Sequence, residues 1–196
     1  MEKKLKKIEK KILKFLEKED NLREEALKVL REITRKSSYA IKKIHSGDFK
    51  KGKKEVENCI KKLKLIKRKL KKYPEIYYQG FLHQAEKEVI EAKATLAIIE
   101  KKEIPDIEEF DPVSYLHGIC ESLGEIRRYL LDSMRKKEKI DFEKYLEIMD
   151  EIYTFLLSFQ YPDAITRSLR KQIDYARGIL EKTRGEITTY YLSGKK

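Results

Sequence analysis

Apolar residues recur at intervals of three and four along almost the whole chain, and little interrupts them. Val56, Cys59, Leu63, Ile66 and Leu70 step by three, four, three and four, which lines them along one face of an α-helix. The 196 residues include only 8 Gly and 4 Pro. So few breakers leave little material for the turns of an all-β fold or for a glycine-rich phosphate loop. Hydrophobic residues make up 40% of the chain, with 7 Phe and 12 Tyr, enough to build a core and to exclude a disordered segment. No apolar run approaches the roughly 18–20 residues that cross a bilayer. The opening MEKKLKKIEKKILKF has Lys between isolated Ile and Leu, unlike the apolar stretch of a signal peptide. The reading is a soluble, cytoplasmic, all-α protein.

The same rhythm divides the chain. Leu5, Ile8, Ile12 and Leu16 predict a first helix over 2–18 with one narrow apolar stripe. Asp20 and Asn21 are candidate caps for a second helix ending at Ser46-Gly47. Asp48 caps a third, very basic helix to about Lys72, and Pro74 closes it or starts the next. A fourth helix is expected from Glu75 to Lys102. A fifth runs from Pro112, capped by Asp111, to Met134. A sixth spans Asp141 to Ser158, and a seventh follows FQYPD to about Tyr191. Connections are short and no linker or repeat separates the pieces. Residues 1–196 therefore read as a single domain, a bundle of about six to seven antiparallel helices.

Charge is unevenly placed. The chain carries 46 Lys and Arg against 34 Asp and Glu, a net of +12. Residues 1–80 hold 27 basic and 12 acidic residues, a net of about +15, and residues 81–196 about −3. A basic half beside a slightly acidic one suggests a polyanionic partner and separate chemistry. Lys-rich helices that merely keep a protein soluble are the plainer explanation. Cys59 and Cys120 have no CxxC partner, which rules out a structural zinc site and points to reduced core thiols without a disulfide. No GxSxG, P-loop or HExxH motif is present.

If the chain does chemistry, carboxylates carry it. Glu88 and Glu91 lie one turn apart in the fourth helix, and Glu121 and Glu125 lie four apart in the fifth, so each pair projects from one face. Gly118, one turn before Glu121, leaves room for a ligand or another backbone. Four glutamates on facing helices offer the oxygen ligands that Mg²⁺ or Mn²⁺ prefers, and such ions activate water for phosphodiester hydrolysis. Acidic pairs at this spacing also arise by chance on solvated helix faces. Spacing alone does not separate the two.

At these residues the sequence resembles the translin family, nearer to translin-associated factor X than to translin itself. LREITRKSSYAIKKIHSG resembles the family's second-helix segment. Tyr77-Tyr78 with His83 resembles its paired tyrosines and following histidine, and EKTRGEI its C-terminal RG motif. SYLHGICESLGEI resembles DYLxGxxDLxGEL, the most specific stretch. The catalytic member carries E-x-x-E-A and then D-x-x-x-E as metal-binding acids. The matching positions are Glu88 and Glu91, then Glu121 and Glu125, with Glu121 where the family usually has Asp. The resemblance implies a Mg²⁺-dependent endoribonuclease acting on single-stranded RNA inside a homo-oligomeric barrel, most often an octamer. His83 and Lys87 are the first choices for the RNA backbone, with Arg35 and Lys36 next; Arg128 suits either an ion pair with the acids or an RNA contact. His83 also suits a satisfied interface histidine, and Tyr77 and Tyr78 suit packing better than base stacking. Two other readings stay open: a non-catalytic single-stranded RNA or DNA binder like translin, and a helical assembly protein with no nucleic-acid activity.

Overall fold

A computed structural model describes residues 1–108 and 110–193 of the chain. The described residues form helices and connecting turns, without strands: α1 (Glu2–His45), α2 (Phe49–Leu70), α3 (Pro74–Tyr77), α4 (Gly80–Ile99), α5 (Pro112–Lys136), α6 (Phe142–Leu157), α7 (Asp163–Thr166) and α8 (Leu169–Ser193).

Three boundaries differ from the sequence expectation, each for a local reason. Asp20 and Asn21 do not start a helix; α1 runs unbroken for 44 residues. Nothing between Glu2 and His45 is Gly or Pro, and each polar residue inside a helix costs only a few tenths of a kcal/mol. The fourth segment is cut at Tyr78-Gln79, where Gln79 takes an extended backbone (ψ 145°) before Gly80 opens α4. The seventh is cut at Arg167 and Ser168, both left-handed (φ 51° and 65°). Two consecutive non-glycine residues in that region store backbone strain. The expected caps Asp48 and Asp111 each accept a bond from the backbone N–H three residues on, and Asp141, expected as the first residue of its helix, caps α6 in the same way.

One continuous cluster of buried apolar side chains runs from Leu22 to Ile187 and draws on α1–α6 and α8. α4 is its central element, packed on α5 and α1 and also touching α2, while α8 covers α5 and α6. Eleven of the twenty α4 residues are buried. Gly118 explains how closely α4 and α5 meet: a Cβ there would stand 2.6 Å from the Ile90 Cβ and 2.7 Å from the Lys87 carbonyl oxygen. The room left by this glycine is filled by α4, so the backbone alternative holds. Cys59 and Cys120 are buried, and burial pushes the Cys120 thiol up to about 12, far from reactive. No described helix is long and apolar enough to cross a membrane.

Candidate metal and nucleic-acid site

The helix pair joined at Gly118 sets the acids against each other. Glu88 and Glu91 extend from α4, Glu121 from α5, and one carboxylate oxygen from each lies within 4.8 Å of the others. Each is partly buried. Close like charges in a desolvated setting favour the protonated form. Burial first, then the neighbouring Glu121, Glu88 and Glu125 carboxylates, push Glu91 up to about 8. Burial also raises Glu88, opposed by Lys87 and by a 2.9 Å bond from the Gln84 amide. Burial and neighbouring carboxylates that together hold an acid protonated near neutrality mark this cluster as a candidate site. The donor set is all oxygen, which suits Mg²⁺ or Mn²⁺ and disfavours softer ions.

Glu125, the fourth expected acid, stands beside this trio but is not within it. His45 Nε2, at the C-terminal end of α1, lies 2.5 Å from its Oε2, and Arg128 Nη1 lies 3.8 Å from the same oxygen. The His45 side chain is 5% exposed, and its Nδ1 has no hydrogen-bond partner among the described residues. The sequence reading missed His45, because nothing in the interval of 80 residues announces that the end of α1 meets α5.

The expected RNA-contacting residues divide. Lys87 turns inward, its Nζ 2.8 Å from Glu121 Oε1, and Gln172 of α8 donates to that same oxygen at 3.0 Å. His83 lies against Ser114 (Nδ1 to Oγ 2.7 Å) and accepts a bond from Arg167. Burial, then the Arg167 guanidinium, pushes His83 down to about 4. It is a neutral histidine at physiological pH, its Nδ1 already engaged. Arg35 is exposed and lines a cavity of about 340 Å³ with Arg31, Thr34, Phe81 and Gln84; Gln84 connects that cavity to Glu88. Lys36 points to α2, 3.6 Å from Glu55 and over the Tyr39 ring. Arg128 is 57% exposed and loosely paired. Tyr77 packs against the core, whereas Tyr78 is 74% exposed.

Two further groups brace the site without having been expected. Glu86 of α4 is 2% exposed and pairs with Lys67 of α2. Its carboxylate also accepts the Asp111 N–H and the Ser114 hydroxyl, each at 3.3 Å, tying the start of α5 to α4. Arg167, placed by its left-handed backbone, donates to both His83 and Asp111. Part of the basic excess is absorbed in such pairs: Lys62 with Glu32, Lys69 with Glu25 and Lys67 with Glu86 all bridge α2 to other helices.

No protein-family model matches the sequence. An uncharacterized protein of Methanocaldococcus jannaschii, MJ0175, is 36% identical over 186 residues, covering 91% of this chain and 81% of that one. The solved structure of AfC3PO is 33% identical and superposes with a TM-score of 0.86, covering 95% of this chain and 98% of that one. The structure of AfC3PO in complex with duplex RNA gives 34% identity and a TM-score of 0.84, over 94% and 96% of the two chains. Apo-NeC3PO, at 24% identity and a TM-score of 0.83 over 92% and 96%, shares the fold. With whole-chain coverage above 30% identity, the chain belongs to the translin/C3PO family and is of the translin-associated factor X type.

Proposed function

We propose that this protein is a divalent-metal-dependent endoribonuclease that cleaves single-stranded RNA inside a cytoplasmic homo-oligomer, most simply an octamer. The observation that carries the reading is the convergence of Glu88, Glu91 and Glu121, with Glu91 raised to about 8. Such crowding destabilises the metal-free chain and is relieved by a cation. The four-acid pattern of the family, and the presence of RNA in the AfC3PO complex, give that cation a substrate.

Glu88, Glu91 and Glu121 would hold the ion, and Glu125, kept in place by His45, would stand beside them. A bound Mg²⁺ or Mn²⁺ would supply Lewis acidity toward a phosphodiester oxygen and would polarise the attacking water. Glu91 would have to give up its proton to serve as a ligand, so cation binding would be linked to proton release. Arg35 on the neighbouring cavity and the exposed Arg128 would hold backbone phosphates, with Lys36 and His83 further from that task because both already have partners. The exposed apolar stripe of α1, with Leu5 59%, Ile8 43%, Ile12 52% and Leu16 53% exposed, offers a face for a second copy of the chain.

Labelled single-stranded and duplex RNAs, incubated with Mg²⁺ or EDTA, test the reading beside a Glu88→Gln/Glu121→Gln variant. Cleavage of the single strand that needs Mg²⁺ and is lost in the variant is the expected result. Metal-independent cleavage, or equal cleavage by the variant, overturns the mechanism. Salt-sensitive binding with no cleavage leaves a non-catalytic RNA binder in its place.

A further inference from the structure

Lys87 is rooted on α4 one residue before Glu88, yet its ammonium crosses to α5. Its Nζ lies 2.8 Å from Glu121 Oε1, and its side chain is 12% exposed. The root is fixed, because the Lys87 carbonyl oxygen is part of the tight α4–α5 contact at Gly118. Only the flexible four-carbon stem is free to move. The Glu121 oxygen it holds also accepts the Gln172 amide at 3.0 Å, so two donors use both its lone-pair directions. Glu121 is also one of the three acids whose oxygens converge. An ammonium and a divalent cation on one partly buried carboxylate, a few ångströms apart, repel each other.

We infer that Lys87 is an exchangeable counter-ion built into the site: its ammonium and a divalent cation are alternative partners of the Glu121 carboxylate, and the ammonium swings off when the cation enters. The inference rests on the metal-site reading above and gives Lys87 a role that reading lacks. In the metal-free chain Lys87 tempers the repulsion among the three acids and keeps Glu121 pointed at its neighbours. Once released, it is a tethered cation at the edge of the site, available to a phosphodiester oxygen. Metal binding and RNA binding are thereby coupled, and by linkage each strengthens the other.

The test is Mn²⁺ titration of the full-length protein, with free Mn²⁺ read by electron paramagnetic resonance at fixed pH and salt. Wild type is compared with Lys87→Met and Glu121→Gln. Removing the competitor tightens Mn²⁺ binding by about tenfold, within the usual span of coupling between sites, whereas Glu121→Gln weakens it. A second readout uses wild type alone, so it stands even where Lys87→Met does not fold. Acylation of Lys87, followed by mass spectrometry, becomes several times faster with Mn²⁺ than with EDTA, while other lysines keep their rates. Unchanged or weaker Mn²⁺ affinity in Lys87→Met, with Glu121→Gln still impaired, overturns the exchange and makes Lys87 a fixed brace. Metal-independent acylation of Lys87 does the same. Wild type that binds no more Mn²⁺ than a Glu88→Gln/Glu121→Gln variant removes the metal site, and the counter-ion with it.

Discussion

The first eighteen residues of α1 and the twenty residues of α4 carry the same three-and-four apolar rhythm, and they end in opposite surroundings. In the α1 arm every side chain as far as Lys18 is exposed, and the first buried residue of the helix is Leu22. In α4 eleven residues are buried, and the acids at positions 88 and 91 are themselves partly covered. Periodicity therefore establishes that a segment is helical and which face is apolar, but not whether anything covers that face. The difference lies in what flanks the stripe. The arm has a narrow line of Leu and Ile among Lys, so burying more of it would strand ammonium groups. α4 surrounds its stripe with Ala85, Ala92 and Ala94, small enough for α1 and α5 to close on both sides.

The largest effect expected from breaking this contrast is on chemistry. Glu88→Gln with Glu121→Gln lowers metal-dependent RNA cleavage by at least about a hundredfold. Lys10→Gln with Lys14→Gln on the arm, where both lysines are exposed, changes cleavage by less than about threefold. Rates measured at one ionic strength check this, since arm lysines otherwise act through screening. Cleavage retained in the glutamine variant but lost in the arm variant would place the active surface on the basic arm and not at the acids.

Stability comes next. Gly118→Ala forces a methyl to within 2.7 Å of Ile90 and of the Lys87 carbonyl, and overpacking at backbone is expected to cost about 3 kcal/mol. For a chain of this size that lowers Tm by roughly 6–12 °C. Gly178 of α8 has nothing within 4 Å of an added Cβ, so Gly178→Ala should be neutral or gain up to about 1 kcal/mol of helix propensity. Thermal unfolding of both variants checks the pair. Both are helical glycines, and Gly118 was the one expected to leave room for a ligand or another backbone. The arrival of α4 at Gly118 and open space at Gly178 separate them.

The same boundary runs through the site. The all-α class and the Asp48 and Asp111 caps were legible, because each depends on residues within about one turn. The breaks at Gln79-Gly80 and Arg167-Ser168 were not, since the latter uses left-handed backbone at residues that rarely adopt it. His45 on Glu125, Gln172 on Glu121 and Arg167 on His83 join residues 80, 51 and 84 positions apart. Such partners are set by helix packing alone. Lys87 and His83 were first choices for RNA, His83 with an interface role as its alternative; in the single chain both have protein partners, which sequence proximity to Glu88 does not reveal.

A smaller effect concerns pH. Glu91 is raised to about 8, so between its unfolded value near 4.5 and pH 8 the folded chain holds the proton more tightly, and rising pH destabilises the fold. His83 is lowered to about 4; between pH 4 and 6.5 the unfolded chain holds that proton more tightly, and rising pH stabilises the fold. From about pH 4.5 to 6.5 the two slopes oppose each other. Above 6.5 the His83 contribution is exhausted, and the Glu91 shift lowers stability in EDTA by on the order of 1–2 kcal/mol by pH 8. Urea unfolding across pH 6–8.5 measures it. Glu91→Gln flattens the upper limb, and saturating Mg²⁺ reverses it, because the cation draws the proton off.

The smallest effect on the isolated chain belongs to the arm, and it turns the comparison into a measure of assembly. Ile12 is 52% exposed and Ile98 of α4 is 2% exposed. Ile98→Ala leaves a core cavity and should cost about 2–4 kcal/mol. Ile12→Ala removes no core contact and should cost less than about 0.5 kcal/mol in dilute protein. If copies of the chain cover the arm, that small cost cannot stay small as protein concentration rises. The stripe is then buried at a partner, its loss weakens association, and the Tm of wild type climbs with concentration while that of Ile12→Ala lags behind. Sedimentation and thermal unfolding over a hundredfold range of concentration read both terms. Equal behaviour of the two proteins throughout that range would mean the stripe faces water in the assembly as it does in the single chain, and the contacts between copies would have to come from the later helices.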